Sequence, residues 1–255
     1  MNTGLKVGLN DDLNEGLRED MSEGVTDCKI SVIIPVLDEE SNLFHLRSYL
    51  QSIIDQGHEV IIVDGGSSDN TLKISHEITQ QVIVSKAGRA LQMNCGAAAA
   101  DGDVLLFLHA DTFLPENALQ FVMALFQQKD CTRETIWGHF DVRLSSNKYV
   151  YRIIEKLINL RSCLSSIATG DQAIFIEKNL FDRIHGYPEI TLMEDIEISC
   201  QLKKISRAKC VKQKVVTSSR RWESNGVVKT VLLMWRLRLY YFFGRSPEKL
   251  RQLYD

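Results

Sequence analysis

The chain has 255 residues, 44% of them hydrophobic and 25% charged, with a formal net charge of −3. That length supports a real core in one large domain. The balance excludes a fibre, a disulfide-stapled miniprotein and a wholly disordered chain, and it gives no global charge to recruit nucleic acid.

Residues 1–28 carry seven acids against Lys6 and Arg18, with few apolar residues. This composition predicts a disordered acidic tail. The fold proper starts at residue 29. The run ISVIIPV at 30–36 predicts a buried strand. The stretch 41–56 predicts a helix with Leu43, Leu46, Leu50, Ile53 and Ile54 on one face. Strands follow at 59–63, 82–85 and 104–109, alternating with helices at 69–80, 87–100 and 115–127. Unalternating strands separated by helices mean a parallel sheet wound on both faces. The second half is less regular, with strands at 137–144, 173–177 and 211–217. Its helices fall at 148–158, 179–183 and 193–204, the last burying Ile198, Leu202 and Ile205. The whole reads as one α/β domain with a mixed, mainly parallel central sheet flanked by helices. Residues 29–127 form a regular first half, 128–224 a less regular second half, and 225–255 an amphipathic helical segment.

In that last segment the run VLLMWRLRLYYFF at 231–243 is interrupted by Arg236 and Arg238. It is too short between charges to span a bilayer. It reads as a packed helix, with peripheral membrane contact through aromatic and Arg anchors as the alternative. Six scattered cysteines show no C-x-x-C pair. They read as buried small hydrophobes in a reducing, cytoplasmic setting, with the inner membrane face as the site of any peripheral contact. Oligomeric state is not readable.

Ligands of such sheets bind beyond the carboxyl ends of the strands. Asp38, Asp64 and Asp111 all fall there. In IIVDGGSSDNT, the Gly65-Gly66 turn lets backbone approach a ligand, although a capped strand–turn–helix would look the same. In LLFLHADT, Asp111 with His109 two residues earlier could hold Mg²⁺ or Mn²⁺, although a lone capping acid is the plainer account. In TLMEDIE, Glu194 and Asp195 stand where a helix begins, as general base or as partners of its dipole. Gly170, Asp171 and Gln172 form a turn or a sugar-binding loop. Arg89, Gln92 and Asn94 open an Ala-rich helix, where an Arg suits a phosphate partner. Ser218–Trp222 (SSRRW) suits a diphosphate and a sugar face, or is a solvated turn.

The order of these stretches carries more than any one of them. VIIPVLDEE, VDGGSSDNT, GRALQMNCGAAAADGDVLLFLHAD, GDQAIF, LMEDIE and RRW together resemble a family 2 glycosyltransferase, from about residue 29 to 222. GRALQMN, GDQAIF, LMEDIE and WRLRLYYFFG resemble more narrowly the small soluble arsenosugar-biosynthesis-type subgroup. The resemblance implies a GT-A fold, a nucleotide-sugar donor (UDP- or GDP-linked), a divalent cation and inversion at the anomeric carbon. The acceptor is an unnamed small molecule or lipid-linked compound. Pro35, Asp38 and Glu39 match the first-strand motif near the nucleoside. Asp64 matches the acid that contacts the base, and Asp69 the second acid of its motif. Asp111 matches the last acid of the metal motif, Asp195 the catalytic base, and Arg221 and Trp222 part of a Q-x-x-R-W motif. His109 replaces the usual first acid of D-x-D, and Ser218 replaces the Gln of processive synthases.

Three rivals are weaker. An aspartyl phosphatase would need a nucleophilic acid where His109 stands. A sugar nucleotidyltransferase would need a Gly-rich basic loop where Leu37-Asp38-Glu39-Glu40 stands. A non-catalytic nucleotide-sugar-binding or membrane-associated protein would have no use for Asp64, Asp111 and Asp195 together.

Overall fold

A computed structural model describes residues 28–127 and 135–254. Apart from Cys28, the acidic segment 1–28 lies outside the described residues. Strand β1 (Ile30–Val36) is buried on both faces, as its β-branched run requires. Helix α1 (Glu40–Asp55) follows, then β2 (Glu59–Asp64), α2 (Thr71–Ile78), β3 (Val82–Val84), α3 (Arg89–Ala99) and β4 (Val104–Phe107). β1 pairs in parallel with β2 and β4, and β2 with β3. The pleat sorts the core into two layers. Val32 and Ile34 face the side where Leu43, Leu46 and Leu50 of α1 pack. Ile33 faces Ala90, Met93 and Ala97 of α3. Helix α3 lies so close to the sheet that a Cβ on Gly96 would stand 2.5 Å from Ile33 Cγ2. Ile54 is only partly buried but packs against the first layer.

The second half builds β5 (Thr112–Phe113), α4 (Ala118–Gln127), β6 (Trp137–Leu144), α5 (Tyr149–Ser165), β7 (Phe175–Glu177), α6 (Lys178–Arg183), α7 (Glu194–Leu202) and β8 (Lys209–Thr217). β7 runs antiparallel to β4 and β6, β8 parallel to β6 and antiparallel to β5. The eight strands lie in the order β3-β2-β1-β4-β7-β6-β8-β5. The sheet is thus mixed and mainly parallel, as expected, and only residues 108–111 join its fourth position to its eighth.

Several expectations need correction. α5 runs to Ser165 rather than 158, and β5 was not foreseen. Ile205 lies beyond the end of α7 and is exposed. The described cysteines, Cys28, Cys95, Cys163, Cys200 and Cys210, are half-buried rather than buried. The SSRRW stretch opens a short helix, α8 (Arg220–Asn225), instead of a turn. The C-terminal segment forms α9 (Val227–Phe242) and α10 (Pro247–Tyr254). α9 buries only Thr230 and Leu237, so plain packing describes one edge of it and not the helix. Leu237 and Leu250 cluster with Leu192 and Met193, bracing the segment before Glu194. Tyr241 adds a hydrogen bond from its hydroxyl to Glu197 Oε2 at 2.6 Å. Among the described residues no helix is long and apolar enough to cross a membrane.

Candidate active site

At the carboxyl end of β2 the chain turns sharply at Asp64. Its Oδ1 accepts the backbone N–H groups of Gly66 at 2.7 Å and Ser67 at 2.8 Å. Its Oδ2 is buried with no hydrogen-bond partner. A buried carboxylate oxygen without a donor is costly, so it marks a place built for one. The neighbouring β1–α1 loop clasps this turn. Asp38, with φ +54°, accepts Ser68 N at 2.7 Å and Ser68 Oγ at 3.0 Å. Glu39 N donates to Thr71 Oγ1, and Asp69 accepts Glu40 N and Thr71 N. Asp38 and Asp69 line one open groove together with Phe44.

The connection from β4 to β5 carries the next group. His109 Nδ1 stands 3.2 Å from Asp171 Oδ1, in the 3₁₀ turn Gly170–Gln172. Gly170 packs against the ring, since a Cβ would meet His109 Cε1 at 2.4 Å and Nε2 at 2.5 Å. Burial would raise the Asp171 pKa, but His109, Arg89 and Arg221 outweigh it and hold it below the ordinary carboxylate value. Asp111 Oδ1 accepts Thr112 Oγ1 at 3.3 Å, and Thr112 is anchored on Thr217 of β8.

The start of α7 closes the site. Asp195 Oδ2 accepts Gly170 N at 3.0 Å and Oδ1 accepts Ile196 N at 2.8 Å. Glu194 is buried and stands 3.6 Å from Arg89. Burial and the neighbouring Asp195 push the Glu194 pKa up, and Arg89 opposes them. Arg89, His109, Gly170, Glu194 and Asp195 line one pocket, with Tyr187 and Phe107 as its aromatic wall. Two further guanidinium groups carry charge toward Asp195. Arg161 of α5 has a buried Nε without a hydrogen-bond partner. Burial and the charge of Arg238 bring its pKa down to about 10, and Asp195 opposes them. Burial lowers Arg238 of α9 in turn, against Asp195 and Asp171.

Other expected residues serve elsewhere. Asn94 exchanges hydrogen bonds with the Tyr187 backbone at 2.8 and 2.9 Å, so its amide braces the pocket wall. Gln172 is fully buried and is occupied by Ser162, Thr169 and Phe140. Gln92 ties the ends of β1 and β2 by donating to the Val36 and Val63 carbonyls, both at 2.8 Å. Gly65 makes room for that side chain, which a Cβ would meet at 3.1 Å. Pro35 lies within β1 opposite Val63. Trp222 packs against the Leu144, Tyr151 and Ile154 cluster. Arg161 and Tyr187 escaped the sequence reading because nothing local marks them. Arg238 left one trace, a charge inside an apolar run.

The chain is similar to known glycosyltransferases in sequence and in fold. The profile of the family described as "Glycosyl transferase family 2" matches residues 31–180. An uncharacterized glycosyltransferase of Nostoc, alr2836, is 30% identical over 132 residues, covering 48% of this chain and 39% of that protein. The undecaprenyl-phosphate 4-deoxy-4-formamido-L-arabinose transferase of Proteus mirabilis is 31% identical over 113 residues, covering 39% and 34%. The chain thus spans less than half the length of these curated relatives. Among solved structures, S. aureus TarS 1-349 superposes with a TM-score of 0.59 at 19% identity, covering 75% of this chain and 60% of TarS. The mannosyltransferase PcManGT of Pyrobaculum calidifontis, solved with GDP-Man and Mn²⁺, gives 0.58 at 14% identity, covering 94% and 74%. At such identities the two structures speak for the fold alone. With more than half of its length matched by the family profile, the chain belongs to glycosyl transferase family 2.

Proposed function

We propose that the protein is an inverting glycosyltransferase that moves a sugar from a nucleoside-diphosphate donor to an acceptor hydroxyl, with Asp195 as general base. The carrying observation is the pocket in which Asp195 and Glu194 meet His109, Gly170 and Arg89. The uncovered acceptor at Asp64 Oδ2 suits a ring N–H of the donor's base, and PcManGT and TarS were solved with GDP-Man and UDP-GlcNAc respectively. The resemblance of GRALQMN, GDQAIF, LMEDIE and WRLRLYYFFG is what points to the small arsenosugar-biosynthesis-type subgroup.

Asp111 and His109 would hold Mg²⁺ or Mn²⁺. Among the described residues there is no group of three or more His, Cys, Asp or Glu side chains able to hold a metal. A set this small fits a cation whose other positions go to phosphate oxygens and water. Such an ion supplies charge to the departing diphosphate. Asp171 orients the His109 ring through Nδ1. Arg89 adds positive charge on the donor side. Asp195, held at both oxygens by backbone N–H groups, takes the proton of the attacking hydroxyl.

Thermal shift against UDP, GDP, CDP, ADP and dTDP, each with Mn²⁺, Mg²⁺ or EDTA, tests this. A ligand at 100 times its Kd adds about 2.7 kcal/mol. A shift with one nucleotide that needs metal and disappears in Asp111→Ala supports the donor site. No shift with any pair overturns the reading and leaves a lapsed fold. Donor consumption then separates an enzyme from a binding module.

A further inference from the structure

Helix α5 is two-faced in an unusual sense. Tyr151, Ile154, Glu155, Asn159 and Ser162 face the protein and are buried. The opposite stripe, Tyr149, Ile153, Leu157, Leu160 and Leu164, is apolar and exposed. Helix α9 repeats the pattern. Leu237 is buried, while Val228, Leu232, Trp235, Leu239 and Phe242 recur every three or four residues and are exposed, Trp235 to 73%. A stripe at that spacing lies on one helix face. The two helices are neighbours: Ile158 of α5 and Val227 of α9 pack on the same Leu144–Tyr151–Ile154 cluster. Among the described residues nothing covers either stripe, and two such stripes exceed what scattered surface hydrophobes explain.

Their charge selects the occupant. On α5 and the residue before it Lys148 and Lys156 are exposed, while Arg152 pairs with Glu155 and Arg161 is largely buried. Residues 226–254 expose Lys229, Arg236, Arg245, Lys249 and Arg251 against Glu248 alone. Both segments are strongly basic in a chain whose net charge is −3. Basic flanks beside an apolar stripe with Trp, Tyr and Phe match the interface of an anionic bilayer. A second copy of the chain would bring the same positive charge against itself.

We propose that α5 and α9 together form a docking face for an anionic membrane surface. No helix need span the bilayer; each lies in the headgroup plane with its stripe in the acyl boundary. Docking is independent of the transferase reading.

Cosedimentation of the full chain with phosphatidylglycerol-containing vesicles, against pure phosphatidylcholine vesicles, is the test. The parent should bind the anionic vesicles at least tenfold more tightly, with the preference reduced by salt. Leu157→Glu on α5 and Trp235→Glu on α9 should each weaken binding tenfold or more without changing Tm. Val84→Glu, an exposed apolar site on the sheet edge, should bind as the parent does. No vesicle binding overturns the proposal. Binding lost in Trp235→Glu but kept in Leu157→Glu overturns the part assigned to α5. A dimer in light scattering that the same substitutions dissolve, with no vesicle binding, gives the face to a second copy instead. Nucleotide thermal shifts on the same proteins report the donor site separately, so its failure is distinguishable from failure to dock.

Discussion

The backbone N–H of Gly170 donates to Asp195 Oδ2 at 3.0 Å, tying the turn before β7 to the first residues of α7. This bond fixes the carboxylate between two segments 25 residues apart in the chain. Asp195→Asn can keep that acceptor through its amide oxygen but loses the basic oxygen. Transfer should fall by about 10²–10⁴-fold, the range for a lost general base, with nucleotide affinity unchanged. Single-turnover transfer beside nucleotide titration checks this. Transfer at the parental rate would remove Asp195 from the base role.

Gly170→Ala tests the other side of the same turn. Its Cβ would have to share space with the His109 ring, so the ring must leave Asp171. Gly170 itself does not have a positive φ, so the backbone is not strained by the change. Mn²⁺-dependent nucleotide binding should weaken by about tenfold, or about 1.4 kcal/mol. Metal-free binding should hardly move. Titrating nucleotide with and without Mn²⁺ reads both, and an unchanged metal dependence would show that His109 does not serve the cation.

Glu59 gives the pH dependence of stability. It is buried, and burial alone would raise its pKa. Hydrogen bonds from Ser31, Gln81 and Asp101 N, with the Lys29 charge, outweigh that and lower it. A depressed carboxyl stabilises the fold above the unfolded-state value and loses that contribution as pH falls through the folded one. Urea midpoints should therefore drop below about pH 4.5, the ordinary carboxyl range. Glu59→Leu should flatten that acid limb and lower stability by a few kcal/mol, about 1–3 for each buried group left unpaired. An acid limb identical to the parent's would assign the dependence to other acids.

Gln92→Leu removes the clamp across the ends of β1 and β2. The Val36 and Val63 carbonyls lose their 2.8 Å donors. Val36 O keeps the Gly65 N–H as a second donor, so the expected cost is about 1–2 kcal/mol, with Asp64 shifted and nucleotide affinity reduced. Chemical denaturation and nucleotide titration measure the two effects. A loss below about 0.5 kcal/mol would mean the carbonyls find other donors.

The strands of the parallel half were legible because runs such as Ile30–Val36 are buried on both faces and have no polar alternation to confuse them. The site was legible where a motif sits at a strand end, as with Asp64, or at a helix start, as with Asp195. Side chains meeting across distant elements were not. Nothing near Asn94 announces Tyr187, 93 residues away, and nothing near Arg161 announces Arg238. β5 was too short for any periodicity to register, and its strand character comes only from pairing with β8. α5 was cut short because Ser162, Cys163 and Ser165 are weak helix formers; packing of Asn159 and Ser162 carries the helix onward. The outward stripe of α9 was misread because an apolar run signals burial only when something is there to cover it.

The four-residue link between β4 and β5 has a bearing on how the protein is born. Thr112 finds its partner Thr217 only 105 residues later in the chain. At about 5–20 residues per second, a ribosome needs roughly 5–20 s to deliver that partner. Until then β4 can already pair with β1, but β5 has no strand beside it. The segment that carries His109 and Asp111 is therefore held at both of its ends only once β8 has been made.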